Sequence, residues 1–349
     1  MLNFLTSRLP ADPAQPESSM QRLLQYLPGT ALSAVVAMAA TLVSKLHGGP
    51  QLLYALFFGV AFHYLSADPK TRPGIEFCAR SVLRLGVGLL GARITASQIM
   101  GLGWSTAAIV ILAVVSTLLC GVFLGRRLGL DRAQSVLSGG AVAICGASAA
   151  LAISAVLPRN KDSERFTLMV VVTVTVLSTL AMVIYPLIAR LLHLPPELAG
   201  LFLGGTIHDV AQVVGAGFML GQETGDYATI VKLFRVSMLA VVVVIVSSLF
   251  KRQREAEGAA AQKKQPLVPW FLWVFVALVI VNSVGAVPAA VQAGLSDISR
   301  DCLVVAIAAL GMKTSFKQLA RSGWRPFALL LVETLWMAGL VLAAIYLRS

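Results

Sequence analysis

Between residues 166 and 192 the chain carries one charged side chain, Arg190. A helix of that length, rising about 1.5 Å per residue, outspans the roughly 30 Å of hydrocarbon in a bilayer. Comparable apolar runs fill most of the chain, at 30–46, 51–65, 75–94, 105–124, 133–157, 196–220, 227–250, 267–284, 287–312 and 326–347. They are continuous, whereas a transmembrane β-barrel reads as alternating segments of about ten residues. Charged residues make up 13% of the chain, against about 25% in soluble domains. So little polarity cannot cover a water-soluble globule of 349 residues. The expected fold is an all-α polytopic membrane protein.

The net charge of +12 is distributed as membrane topology requires. Arg126, Arg127 and Arg132 share one short loop; Lys251, Arg252, Arg254, Lys263 and Lys264 share another; Lys313, Lys317, Arg321 and Arg325 share a third. Loops rich in Lys and Arg stay in the cytoplasm. The loops at 47–51, 221–226 and 282–287 are neutral or acidic and are assigned outside. This pattern explains the basic balance by orientation and not by nucleic acid. The N-terminus is expected in the cytoplasm and the C-terminus outside, which is the periplasm in the bacterial inner membrane that the resemblance given below implies. Residues 1–29 form a cytoplasmic tail without the basic-then-apolar order of a signal peptide, and residues 30–349 form one transmembrane domain with halves near 30–192 and 196–349. Cys78, Cys120, Cys145 and Cys302 form no CxxC pair, so neither a zinc site nor a disulfide framework is expected.

Two apolar runs are interrupted by glycine. The first contains SGGAVAICGASAA at 138–150; the second contains GGTIHDVAQVVGAG at 204–217. Glycine-interrupted segments in both halves of a chain point to a transporter's binding site. Irregular backbone at membrane depth persists only where it is buried in protein or lines a cavity. The loop at 159–165 is basic, so the first segment is expected to enter and return on the cytoplasmic face and the second to re-enter from outside. That gives about nine full spans; if both segments cross, there are about eleven.

The sequence also repeats. LRLGVGLLGARITASQIMGLGW at 83–104 aligns without a gap to LVVAIAALGMKTSFKQLARSGW at 303–324, an offset of 220. Leu90, Gly91, Gln98, Gly103 and Trp104 match Leu310, Gly311, Gln318, Gly323 and Trp324, and Arg93 matches Lys313. The loop assignments put Arg93 outside and Lys313 inside, so the repeats are expected to be inverted. Inverted repeats with two broken core helices are an architecture of secondary transporters.

Around the first break the chain offers small polar groups and exposed backbone: Ser138, Gly139, Gly140, Cys145, Gly146 and Ser148. Around the second it offers Gly204, Gly205, Thr206 and Gln212. Glycine lets an anion approach backbone N–H groups, and a half-helix N-terminus adds positive potential. These ten residues are the candidate substrate contacts; glycine used for close helix packing is the competing explanation. His208 and Asp209 are the candidate ion- or proton-coupling pair, since an ionisable residue at membrane depth is costly without a function. Asp209 as a half-helix cap is the structural alternative. Arg80, Arg84 and Arg300 are expected to pair with Glu76, Asp297 and Asp301. Lys232 and Arg235 are placed close enough to the outer face to snorkel. Glu333 lies inside the last run and needs a partner. No catalytic constellation stands out, no GxxxxGK[ST] motif occurs, and no cofactor or metal is implied.

The two glycine motifs and the LG-x-[RK]-x4-Q repeat resemble the YeiH-like family of bacterial inner-membrane proteins, named for sulfate export, within the cation:proton antiporter and anion transporter superfamily. The resemblance runs through nearly all the chain after its N-terminal tail. It implies a fold similar to sodium–proton antiporters and bile-acid symporters. It also implies a secondary exporter of a small inorganic or organic anion, such as sulfate or an organosulfonate, with proton or sodium coupling. The alternative is a cation–proton antiporter using Asp209 as its ion carboxylate. Expected partners are the anion, the coupling ion, the bilayer and a second copy of the chain in a homodimer.

Overall fold

The computed structural model describes residues 24–47, 50–158, 161–256, 269–314 and 324–348. Most of the tail, the Arg159 and Asn160 positions, Lys263, Lys264, Lys317 and Arg321 lie outside the described residues. So do 315–323 of the second repeat copy. Among the described residues the chain is all helical. The helices are α1 (Leu27–His47), α2 (Gln51–Ala61), α3, α4 (Ala96–Gly101) and α5 (Gly103–Arg127), where α3 runs through Arg72–Phe77, a π-helical turn at Cys78–Val82 and Leu83–Leu89. Then follow α6 (Arg132–Ala143), α7 (Ala147–Ser154), α8 (Lys161–Leu191), α9 (Pro196–Thr206), α10 (Val210–Leu220) and α11 (Gln222–Leu249). A short α12 (Lys251–Ala256) precedes α13 (Trp270–Ser283), α14 (Ala289–Lys313) and α15 (Trp324–Arg348).

Among the described residues, five helical stretches are long and apolar enough to cross a bilayer unaided: Leu27–His47, Gly103–Arg127, Arg165–Leu191, Gln222–Leu249 and Pro326–Leu347. The other apolar runs become shorter or more polar helices. α2 has 11 residues and α13 has 14, while α14 carries Asp297, Arg300 and Asp301. The chain is a multi-pass membrane protein.

The helices sort into two groups by packing. In one, α14 packs on α2 and α3, α13 packs on α3, and α1 closes over α2 and α3. In the other, α5, α6, α7, α8, α9, α10, α11 and α15 pack on one another, and α10 also touches α2 and α14 of the first group. Small residues set the closest approaches. A Cβ on Gly59 of α2 would lie 3.0 Å from the Cα of Gly311 on α14, so the two backbones touch. Close packing of this kind, not a hydrophobic drive, holds helices together in lipid.

The surface charges pair differently from expectation in one place. Arg300 meets Asp297 at 2.8 Å, but Glu76 meets Arg72 at 3.4 Å rather than Arg80 or Arg84. The i,i+4 geometry of a single helical turn brings Arg72 to Glu76.

Candidate functional site

The first interrupted segment is built from α6 and α7. Asp131 and Gln134 form a capping box at the start of α6, with Gln134 N–H donating to Asp131 at 2.7 Å. The helix stops after Ala143. Ile144 leaves helical geometry, and Gly146 sits at φ +62°, a conformation side chains rarely adopt. α7 then runs back. Ala133, Gln134 and Leu137 from the start of α6 line one small cavity with Ser154 and Leu157 from the end of α7 and with Ser163 and Thr167 of α8. Both ends of the segment therefore lie on one face of the molecule, and Ile144–Gly146 forms its tip.

The second segment is α9 and α10, and its tip is residues 207–209. Ile207 is extended, and Asp209 is the N-cap of α10, its carboxylate accepting the Ala211 N–H at 3.3 Å. Glu197 at the start of α9 accepts from Tyr227 Oη at 3.2 Å. A Cβ on Gly217, near the end of α10, would lie 2.8 Å from the Cα of Gly225. Both ends of this segment thus lie against the start of α11. α8 joins the two faces: its first turns meet the ends of the first segment, and Arg190 near its end donates to the Met219 carbonyl at 3.2 Å.

The two tips meet. A Cβ on Gly146 would lie 3.2 Å from the His208 Cβ. Lys232 and Arg235, both wholly buried in the middle of α11, bind both tips. Lys232 Nζ donates to the carbonyls of Ile144 at 2.7 Å, Ile207 at 3.0 Å, and His208. Arg235 donates to the carbonyls of Val142 at 3.2 Å, Ala143 at 2.9 Å, Gly204 at 3.0 Å and Ile207 at 3.1 Å. These are the orphan carbonyls at the C-terminal ends of α6 and α9, where the helix dipole is negative. A cation there satisfies both the hydrogen-bonding need and the dipole.

This overturns the placement of Lys232 and Arg235 as snorkelling residues at the outer face. The helix begins at Gln222, so Lys232 lies a further turn and a half inside the helix than a start at residue 227 implies. Among the described residues neither cation has a carboxylate within ion-pair distance. The signal that could have located them is their i,i+3 spacing on one face of an otherwise apolar run.

The remaining candidate residues divide. Cys145, Gly146, His208 and Asp209 are at the tips. Gln212 is one turn into α10, its amide nitrogen 3.5 Å from Thr179 Oγ1 and its oxygen without a partner among the described residues. The backbone N–H of Asp209 donates to Ser178 of α8 at 3.1 Å. The His208 Nε2 is 3.0 Å from Thr334 Oγ1 of α15, and its Nδ1 has no partner among the described residues. Ser148 is exposed on the first turn of α7.

The glycine pairs lie away from the tips. A Cβ on Gly139 would lie 2.9 Å from the Leu118 carbonyl of α5, and Gly140 faces Ile153 of α7. Gly204 abuts Ala228 and Val231 of α11, and Gly205 has ordinary contact with Val341 of α15. Thr206 donates to the Phe202 carbonyl at 2.5 Å. Ser138 Oγ lies 2.8 Å from Glu333 Oε1, which supplies the partner that Glu333 was expected to need. Ser178, Thr179 and Thr334 were not singled out by sequence, because hydroxyls on apolar helices carry no periodic signal.

A family model described as "Conserved hypothetical protein 698" matches residues 28–330. The chain is 47% identical to the UPF0324 membrane protein CT0845 of Chlorobaculum tepidum, over 96% of this chain and 93% of that one. It is 49% identical to the UPF0324 membrane protein RB0971 of Rhizobium meliloti, over 93% and 94%. It is also 49% identical to the UPF0324 membrane protein TauZ of Paracoccus pantotrophus, over 93% and 96%.

Proposed function

The chain belongs to the family described as Conserved hypothetical protein 698, with UPF0324 membrane proteins as its relatives, and from that premise we propose that it is a secondary active transporter of a small anion. Sulfate or an organosulfonate is the substrate class, export is the direction, and the bacterial inner membrane is the location. The observation that carries the reading is the pair of buried cations, Lys232 and Arg235, at the meeting point of two helix-breaking tips.

The electrostatics favour an anion. Two fixed positive charges on α11 face the tips, and the half-helix N-termini of α7 and α10 add about half a charge each. Asp209 is engaged as the cap of α10. A cation bound beside Asp209 would meet like charges from Lys232 and Arg235, which counts against the cation–proton antiporter. The donors of both cations already serve carbonyls, so they set the local potential while the anion itself meets the N–H groups at the start of α7, Cys145, Ser148 and Gln212. The charge left over from a dianion is matched by a coupling proton handled at His208 and Asp209.

The sequence repeat supports an internally symmetric scaffold for alternating access. Leu90-Gly91 and Leu310-Gly311 are matched, and each glycine seats a helix. A Cβ on Gly91 would lie 3.0 Å from the Phe275 Cα of α13; one on Gly311 would lie 3.0 Å from the Gly59 Cα of α2. Trp104 and Trp324 both stand exposed at the start of a long helix, where tryptophan suits a membrane interface.

The test is efflux of labelled sulfate and of an organosulfonate from proteoliposomes with an imposed pH gradient, with sodium and potassium flux measured in parallel. Anion efflux that responds to the gradient is the expected result. Cation–proton exchange without anion movement would replace this reading with the antiporter.

A further inference from the structure

One buried ionisable side chain has no role in the site as described. Glu333 lies midway along α15, fully buried, with Oε1 2.8 Å from Ser138 Oγ of α6 and Oε2 without a partner among the described residues. Its chain neighbour Thr334 is the residue that holds His208. Adjacent side chains of α15 therefore reach both interrupted segments, one through Ser138 and one through His208.

The hydrogen count around Ser138 decides the state of Glu333. Ser138 Oγ is 2.8 Å from Glu333 Oε1 and also 3.2 Å from the Ser135 carbonyl. A hydroxyl has one hydrogen to donate. An ionised Glu333 would compete with Ser135 for that hydrogen and would keep Oε2 bare inside an apolar helix bundle. A protonated Glu333 resolves both problems: its O–H donates to Ser138 Oγ, and Ser138 donates to the Ser135 carbonyl. Only a neutral carbonyl oxygen then remains unpaired, which costs far less than a bare carboxylate.

Among the described residues no cation lies within ion-pair distance of Glu333. α5 presents Cys120 to this region, and its Arg126 and Arg127 are exposed at the helix end. α6 has Arg132 at its start, stacked over Phe250. Tyr185 of α8 stacks on Phe202, and Glu197 of α9 holds Tyr227. Arg235 approaches α15 one turn further on, at Met337 Sδ 3.3 Å away, with its N–H groups already given to carbonyls. Small residues bring the helices this close: a Cβ on Gly121 would lie 2.6 Å from Glu333 Oε1.

We propose that Glu333 is a proton-binding site, holding the coupling proton in this conformation and releasing it when water reaches the Glu333–Ser138 contact. The release leaves a carboxylate on Glu333 and a proton on water, with no other bond changed. The proposal rests on the reading of the chain as a proton-coupled anion transporter. It adds Glu333 to the path of the one proton exchanged at the tips.

Infrared difference spectroscopy of the purified protein in bilayers tests it. A protonated-carboxyl C=O band should be present in the wild type at neutral pH and absent in Glu333→Gln. Ser138→Ala should move that band upward in frequency by removing its hydrogen bond. In proteoliposomes, a single obligatory proton allows the wild-type rate to change up to about tenfold per pH unit. Glu333→Gln should flatten this to less than about twofold, with anion binding retained, and Glu333→Asp should restore part of the slope. A band unchanged in Glu333→Gln, or unmoved by Ser138→Ala if the glutamine variant does not fold, overturns the proton site. A lost band with a wild-type pH slope overturns the coupling role. A wild type that shows the band but moves no anion would sink the transport reading while leaving a buried neutral acid in place.

Discussion

Arg93 and Asp226 join the two helix groups through a contact of 2.6 Å, with Arg93 also lying over the Phe218 ring at 5.1 Å. Arg93 follows α3 in one group; Asp226 is in the first turns of α11 in the other. Arg93 borders a cavity of about 200 Å³ at the seam, lined also by Gln51, Gln222, Ser296 and Arg300. Their side chains are 12% and 15% exposed, so the contact is screened far less than a surface pair. Asp226→Asn should weaken the seam by about 1–3 kcal/mol. A cysteine at Ser296 should then react several-fold faster with an impermeant maleimide. Unchanged labelling would mean the seam is held elsewhere.

Arg235 makes contacts that only a guanidinium can make at once. Arg235→Lys should lose thermal stability nearly as severely as Arg235→Met, because an ammonium cannot span Val142, Ala143, Gly204 and Ile207 together. Each carbonyl left bare costs about 1–3 kcal/mol. Melting curves from size-exclusion chromatography in detergent would show it; a lysine variant as stable as wild type would contradict the capping role.

Gly146 and Gly205 should respond oppositely to alanine. Gly146 has φ +62° and a Cβ there would meet His208 at 3.2 Å, so Gly146→Ala should cost at least about 1–2 kcal/mol. A Cβ on Gly205 would find Val341 at 3.6 Å, an ordinary contact, so Gly205→Ala should change stability little. Equal losses at both positions would remove the distinction between tip and packing glycine.

Asp209 as a cap predicts an ordering of variants. Asn caps as well as Asp, so Asp209→Asn should keep stability, whereas Asp209→Ala should lose about 1 kcal/mol. Loss of stability in the asparagine variant equal to that in alanine would mean the charge, not the cap, holds the tip.

The two-ended geometry of each interrupted segment has a direct topological readout. Cysteines at Gln134 and Ser154 should be labelled from the same side of the membrane, and cysteines at Glu197 and Tyr227 from the other. Labelling of Gln134 and Ser154 from opposite sides would show that the first segment crosses.

Much of this was legible because the relevant signals are local. Apolar runs, basic loops and the positions of Gly146 and His208-Asp209 are properties of neighbouring residues. What Lys232 and Arg235 do was not, because the carbonyls they bind lie 24 to 93 residues away, and every residue has a main-chain carbonyl. The glycine pairs were ambiguous for a different reason. Gly139 and Gly204 look alike in sequence whether a ligand or another helix occupies the missing side chain's space; only the positions of Leu118 and Ala228 distinguish the two.

Because one face of α11 is fastened to the tips of both interrupted segments, those three elements cannot travel separately. Swinging either tip outward on its own would strip carbonyls from Lys232 or Arg235. On the proposed reading of the chain as an anion transporter, a motion that opens the site to alternate sides would carry the tips and α11 as one block. The sliding surface is then the far side of α10, where it rides on α2 and α14. On that reading the protein has one moving part and one stator, not two independent doors.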